Sequence, residues 1–417
     1  MLLSYIRGIY LVVCGLLFVP SRVQAEALRF EEAVGLVQHA SAVKSSSMAL
    51  ETRRDSDDGI GGTAGPMQFS FMPGFRPHPA ESKGFEFQAN FSESFSLEDL
   101  GGARRESAKK ERQAIAAEVQ ANLLSSRLEI ARAWLALWRI EKLRGMAADA
   151  TKLTETFLSA IERAQKLGEA TVLDVESARS HLAELKMKSL DLEGMQFYQV
   201  LKLCETMGRK PNTKLTTKGD PPRVALPKHF DTPSLIARVD ALPSVQYARL
   251  LRDSAKARVS EADASVAPMF QIGAQVQRES PTSWLGFGLV GISVPVSNAA
   301  KRQVSQHLEE VERLNVAKDK ARRDGQAQLL AAIHEVEHET RLLRLVTKEA
   351  LPSVTNLVDA QEKALAANEG SVFQLVTARR QWIATRELST LSQEALSWAK
   401  IKLWLLMKAL HNRGSSK

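Results

Sequence analysis

His334-Glu335-Val336-Glu337-His338 is the segment whose residue types most directly suggest chemistry. On a helix, histidines at this spacing share a face and can hold zinc, and the glutamate beside the first can activate a metal-bound water. A zinc-dependent protease using His334, Glu335 and His338 is therefore one reading. Glu337 and Glu339 oppose it, because they put charge where a buried zinc helix needs apolar side chains. An incidental surface metal site, with Glu335 and Glu339 nearby, is the second reading. The run from Gly59 to Gly65 is rich in glycine but lacks the strand and helix that a phosphate cradle needs, and reads as a loop. His78, between Pro77 and Pro79, belongs to an extended loop. Cys204 reads as a small buried apolar residue, with a reactive thiol as the alternative. These residues assign no catalytic, cofactor-binding or metal position, so the chain is read as a non-enzyme.

The elements that would carry such residues are unusual. Hydrophobic residues make up 44% of the chain and charged residues 25%, which excludes global disorder. Aromatics are only 6%, and Ala, Leu, Glu, Lys and Arg abound, the palette of long helices and coiled coils. Arg7, the apolar run Ile9 to Pro20 and the small-residue site Val23-Gln24-Ala25 read as a secretory signal peptide over 1–25, with an uncleaved anchor as the alternative. Lipid attachment at Cys14 is disfavoured by bulky Val13. Cleavage after Ala25 removes Arg7 and Arg22 and lowers the net charge from +8 to +6, and it leaves Cys204 without a disulfide partner. Basic and acidic residues are interspersed, so no nucleic-acid partner is expected. No later stretch is long and apolar enough for a transmembrane helix, so any membrane role must use a barrel or an amphipathic surface.

The chain also repeats itself. Gly168-Glu169-Ala170-Thr171-Val172-Leu173-Asp174-Val175-Glu176-Ser177-Ala178-Arg179 aligns without a gap with Asn368-Glu369-Gly370-Ser371-Val372-Phe373-Gln374-Leu375-Val376-Thr377-Ala378-Arg379, at an offset of 200. The same offset pairs Ala131 with Ala331, Glu162 with Glu362 and Ala164 with Ala364. We read a tandem duplication, repeat one about 26–225 and repeat two about 226–417. The offset also sets His334 and His338 on Trp134 and Trp138, as packing positions holding different residues.

Each repeat has the same order of parts. Period-two alternation predicts strands within 66–97, as in Phe85 to Phe91, and within 269–296, with a turn at Glu279-Ser280-Pro281-Thr282. Two strands of about ten residues per repeat suit a tilted membrane barrel, and soluble hairpins are the alternative. Helical arms follow over 102–208 and 299–410. Ala114, Ala117, Ala121, Leu124, Leu128, Ala131, Leu135 and Trp138 mark a coiled-coil seam. From Ala103 to Leu167 only Gly145 weakens the helix, which would span roughly 97 Å. Val172 to Met207 and Pro233 to Val266 return over the same length, broken by an irregular equatorial region at about 209–232. In repeat two Ala299 to Ala367 descends, with a kink expected at Pro352, Val372 to Leu410 rises, and Phe30 to Arg53 takes the upper half.

With Gly168 to Arg179 and Glu369 to Arg379 as helix-to-helix turns, and with strand exits at Ser293 to Val296 and Phe95 to Arg105, the chain resembles the TolC family of outer-membrane efflux proteins. The second exit and Pro352 are most like the heavy-metal efflux branch. The resemblance implies a mainly α fold with a β-barrel part. Long antiparallel coiled-coil helices would form an α-barrel, and four membrane strands per protomer would give a twelve-stranded barrel in a homotrimer. It implies a location in the outer membrane of a Gram-negative bacterium, among outer-membrane lipid, with the helices in the periplasm. The partners implied are a periplasmic adaptor (membrane fusion) protein and an inner-membrane pump such as an RND transporter. The chain would then be the passive duct of a tripartite efflux or secretion system, and a secreted coiled-coil scaffold without a pore is the alternative. Gly168, Thr171, Val172, Leu173, Asp174, Gly370, Ser371, Val372 and Phe373 match the family's periplasmic tip, where the adaptor docks and the duct is gated. Asp174 would supply a carboxylate ring there, or else simply complement its helix dipole. Gln374 and Thr377 depart from the acidic residues often found in the second turn.

Overall fold

The computed structural model describes residues 26–57, 67–76, 84–212, 214–227, 229–279, 283–294, 298–367 and 369–411. The expected leader, the glycine-rich run, His78, Ser280 to Thr282, Pro295-Val296 and Asn368 lie outside them.

Strand β1 (Glu26–Leu28) leads into helices α1 (Phe30–Gly35) and α2 (Ser41–Asp57), then strands β2 (Gln68–Arg76) and β3 (Gly84–Ser96). Helix α3 (Leu100–Lys166) descends and α4 (Val172–Thr206) returns. Strand β4 (Leu215–Thr217), short α5 (Thr232–Ala237) and α6 (Pro243–Ser265) complete that return. Strands β5 (Met269–Glu279) and β6 (Ser283–Ser293) precede the descending α7 (Asn298–Leu345) and α8 (Leu351–Ala366) and the ascending α9 (Val372–His411).

The length of α3 follows from its sequence. The Asp99 side chain caps it, accepting the Gly102 N–H at 2.7 Å. No proline interrupts its 67 residues, which span roughly 100 Å. Along its first part α3 packs on α2 and α6, where Glu111 takes Arg53 at 2.8 Å and Arg258 at 2.9 Å. Farther down it packs on α4, where Lys186 meets Glu155 at 2.9 Å. Helix α7 packs on α6 and α9, and α8 on α9.

Two helical expectations change in detail, and Pro352 has a local accommodation. The segment expected from Pro233 begins as α5 and a 3₁₀ turn, Val239–Ala241. The long helix starts only at Pro243, because a residue before proline is driven out of the helical region and Leu242 sits extended at ψ 137°. The N-terminal helix is likewise divided by a 3₁₀ turn, Leu36–His39. At Pro352 the chain stays helical. The preceding turn, Val346–Ala350, widens to a π-helix, which accommodates the ring and the missing N–H of a proline.

The main core lies at the waist, midway along α3. Ile130, Trp134, Leu135, Leu137 and Trp138 meet Leu28, Ala33 and Val37 from the N-terminal segment, Leu203 and Met207 from α4, and Ile401 from α9. Phe30 packs edge-on against Trp134 at 5.4 Å, and the indole N–H donates to the Leu28 carbonyl at 3.0 Å. Strands β1 and β4 pair in parallel, and Arg209 holds Glu26 through two bonds of 2.8 and 3.0 Å. Glu141 on α3 accepts both the N–H and the hydroxyl of Thr217 on β4. Burial raises the Glu141 carboxyl above its ordinary pKa, with the two Thr217 bonds pulling the other way. Cys204 is buried in this core and unpaired, as its sequence context predicts.

Candidate functional site

The four long strands form one antiparallel sheet in the order β2-β3-β5-β6. Its register sorts residue types by face. Phe69 opposes Phe91, Phe91 opposes Ala274, Ala89 opposes Val276, and Ile272 opposes Val290 on one side. On the other side Ser70 opposes Asn90, Asn90 opposes Gln275, and Ser94 opposes Gln271. The apolar side carries aromatic contacts, Phe87 lying 5.5 Å from Phe71 and 5.6 Å from Trp284. The polar side carries an amide and hydroxyl network: Gln271 donates to Ser92 at 2.9 Å, Asn90 to Ser70 at 3.3 Å and Gln277 to Glu279 at 3.1 Å. The sorting is incomplete: in β6, Leu285, Phe287 and Leu289 put apolar groups on the polar side, and Glu93 and Arg278 put charges on the apolar side.

Phe69, Phe71, Val276, Val290 and Ile292 are solvent-exposed within the single chain. A soluble sheet buries such a face, whereas a membrane barrel turns it to lipid and keeps polar groups inside. The strands run 9, 13, 11 and 11 residues, long enough to cross a bilayer at a tilt. Among the described residues, strands β2 and β6 each leave one edge unpaired. No helix among the described residues is long and apolar enough to span a membrane, which says nothing about the strands.

At the far end of the arms two turns lie together. The first ends α3 with Gly168 in the left-handed region at φ +82°, while the Glu169 N–H bonds back to the Ala164 carbonyl at 2.9 Å. Thr171 then caps α4. Its hydroxyl accepts the Asp174 N–H at 3.2 Å, while Asp174 accepts the Thr171 N–H at 2.9 Å and hydroxyl at 2.7 Å. The Asp174 carboxylate thus completes a capping box at a helix N-terminus. In the second turn the Gly370 N–H bonds to the Ala364 carbonyl at 3.1 Å. A Cβ at Gly370 would sit 3.0 Å from the Leu365 nitrogen, so any larger residue requires the end of α8 to give by a few tenths of an ångström. Ser371 and Gln374 exchange the same reciprocal pair of bonds, at 3.2 and 3.3 Å.

Matching sequence positions do not have matching surroundings. Val372 is 4% exposed and packs with Ile161, Val175 and Val376, whereas Val172 is 65% exposed. Leu173 and Phe373 project outward at 73% and 60% exposure. Behind the turns stands an ion-pair frame that the motif reading missed. Arg179 meets Glu162 at 3.1 Å and Arg379 meets Glu362 at 2.7 Å, the same contact at both positions of the offset. Lys188 bonds Glu387, joining α4 to α9. Arg380 of α9 bonds Glu184 of α4 at 2.8 Å, beside buried His181. Glu and Arg recurring at the offset were a visible signal for the first two pairs; His181 offered none.

His334 and His338 lie exposed on α7 with near-parallel rings 6.1 Å apart. Glu335, the carboxylate a zinc hydrolase would need for its water, is instead held by Lys402 of α9 at 3.0 Å. The idea that these histidines occupy packing positions shared with Trp134 and Trp138 does not hold. The tryptophans are buried at the waist and the histidines are not. The N-terminal segment covers α3 at that level, and it reaches only one of the two places.

No protein-family model and no curated protein matches the chain in sequence. Solved structures do match it in fold. The chain is similar to CusC, studied for transmembrane channel formation, at 14% identity and a TM-score of 0.75 over 91% of each chain. It is similar to the outer membrane protein VceC of Vibrio cholerae at 15% identity, covering 91% of this chain and 95% of that one, with a TM-score of 0.71. The open state of the Neisseria gonorrhoeae MtrE outer membrane channel matches at 12% identity, over 91% and 88%, also at 0.71. At such identities the likeness establishes the fold: long antiparallel helices carrying a small sheet, as in these outer-membrane channels.

Proposed function

We propose that the protein is a TolC-family outer-membrane channel, the passive duct of a tripartite efflux or secretion system. One observation carries the reading. A sheet with an exposed apolar face and, among the described residues, two unpaired edges crowns helical arms roughly 100 Å long. In lipid each unpaired backbone group costs several kcal/mol, so four strands must close with those of other copies. Three copies give twelve strands, with the polar faces lining an aqueous lumen, and continue as a helical tunnel across the periplasm. The order of parts and the repeated Glu162–Arg179 and Glu362–Arg379 contacts support a tandem duplication. A leader cleaved after Ala25 would deliver the chain to the outer membrane.

The turns form the periplasmic tip in this reading. Val172, Leu173 and Phe373 offer apolar side chains to an adaptor. Gly168, Thr171, Asp174, Gly370 and Ser371 shape and cap the turns, and Val372 packs them from beneath. An inner-membrane pump, such as an RND transporter, selects the solute, and the strand exit ending at Arg105, together with Pro352, favours heavy-metal export. Heat-modifiable trimers in the outer-membrane fraction and single-channel conductance in planar bilayers are the expected results. A soluble monomer without conductance overturns the proposal.

A further inference from the structure

His181 is 3% exposed, in the contact between α4 and α9 behind the tip. Its Nδ1 lies 3.4 Å from Arg380 Nε and 3.5 Å from Glu184 Oε2, while its Nε2 is buried without a partner among the described residues. A buried polar nitrogen with no partner is costly, and a buried positive charge is costlier. If Nδ1 accepts from Arg380, the orphan Nε2 carries the proton; if Nδ1 donates to Glu184, Nε2 is a bare acceptor. In both tautomers, protonating the ring forces an N–H onto Nε2 with nothing to receive it, or sets an N–H of Nδ1 against that of Arg380.

The charges around the ring relieve this only in part. From α4 comes Glu184, already bonded to Arg380 at 2.8 Å. From α9 come Arg380 and Arg379, the latter taken up by Glu362 of α8. On α3, Glu162 and Glu155 are engaged by Arg179 and Lys186 of α4. Two guanidinium groups thus face the imidazole, and Glu184, shared with Arg380, is the one carboxylate at the ring that offsets them.

From this geometry we infer that the α4–α9 contact is an acid-sensitive latch, which holds the tip packed while His181 is neutral and releases it when the ring is protonated. Burial, followed by the neighbouring arginines, holds the His181 pKa below its usual value of 6.5, with Glu184 acting in the opposite sense. The sign follows. Above the ordinary histidine pKa of about 6.5 the ring is neutral in both states and the latch is at full strength. As pH falls below that, a separated and hydrated His181 takes a proton while the packed one resists, so the packed state loses stability until its own lower pKa is reached. Each pH unit in that window shifts the balance by up to about tenfold per protomer. Within the proposed duct, separation of α4 from α9 at the tip is an opening motion, so the biological consequence rests on that reading while the latch itself does not.

The full-length protein in lipid nanodiscs, with nitroxide labels on Ser180→Cys and Gln381→Cys, reports the α4–α9 distance directly. A widened population should grow several-fold between about pH 7.5 and 5.5 and should not grow in His181→Gln, which stays neutral. An unchanged distance, or equal widening in His181→Gln, overturns the inference. If His181→Gln fails to assemble, Glu184→Gln serves instead: loss of the one carboxylate touching the ring should enlarge the acid-dependent widening, and no enlargement overturns the inference. Planar-bilayer conductance across the same pH range separates the two readings. Acid widening without conductance at any pH would overturn the duct and leave the latch standing.

Discussion

At the two turns, single residues decide the backbone path for different physical reasons. Gly168 holds φ +82° with open space around it, so Gly168→Ala has only the left-handed backbone to strain, at about 1 kcal/mol. Gly370 is constrained by close contact with Leu365 and Ala364, so Gly370→Ala must shift the end of α8 by a few tenths of an ångström. Limited proteolysis at the tip should therefore accelerate more in Gly370→Ala than in Gly168→Ala. At the waist, Trp134→Phe removes one of two donors to the Leu28 carbonyl, which keeps the Lys218 N–H at 3.0 Å, so the cost is that of one buried hydrogen bond, about 1 kcal/mol. The thermal unfolding midpoint should fall accordingly. His334→Ala, on an exposed position, should change neither assembly nor any export phenotype, and loss of function would revive the metal-dependent readings.

Among the elements, the sheet makes the sharpest prediction because its faces differ chemically. Val290→Arg places a charge on the apolar face and should cost about 2–4 kcal/mol if it lies at mid-membrane, seen as reduced outer-membrane assembly. Gln275→Arg lies on the polar face opposite Asn90, so the protein should still assemble, with altered single-channel conductance or ion selectivity. Equal damage from both substitutions would mean that the sheet does not separate lipid from water. The helices obey local rules more strictly. Asp99, Thr171 and Ser371 each cap their own helix, and Pro243 and Pro352 each mark a local departure from α geometry.

For the whole molecule the main consequence is assembly. Among the described residues one chain leaves two strand edges unpaired and an apolar face exposed, so on the proposed reading membrane insertion and oligomerisation should be inseparable. The tip should separate from assembly. Leu173→Ala with Phe373→Ala removes exposed apolar surface outside the packed cluster of Ile161, Val175, Val372 and Val376. Capture of the purified adaptor should weaken at least several-fold while the heat-modifiable trimer persists, and an unchanged adaptor affinity would place docking elsewhere.

Local sequence determined the long uninterrupted α3, the strand pairs with their two faces, and the capped turns 200 residues apart. Those features depend on neighbours a few positions away: caps, spacing, alternation and the absence of breakers. Tertiary structure decided what each repeated position became. Val172 is open and Val372 buried; Trp134 lies under the N-terminal segment while His334 faces outward; His181 is enclosed by α9. Burial is set by which distant segment covers a face, and a chain with two similar halves has only one N-terminal segment to cover them. Near the turns, the packing of α9 on α4 sets a lone imidazole between two helices, a placement that no spacing along the sequence encodes.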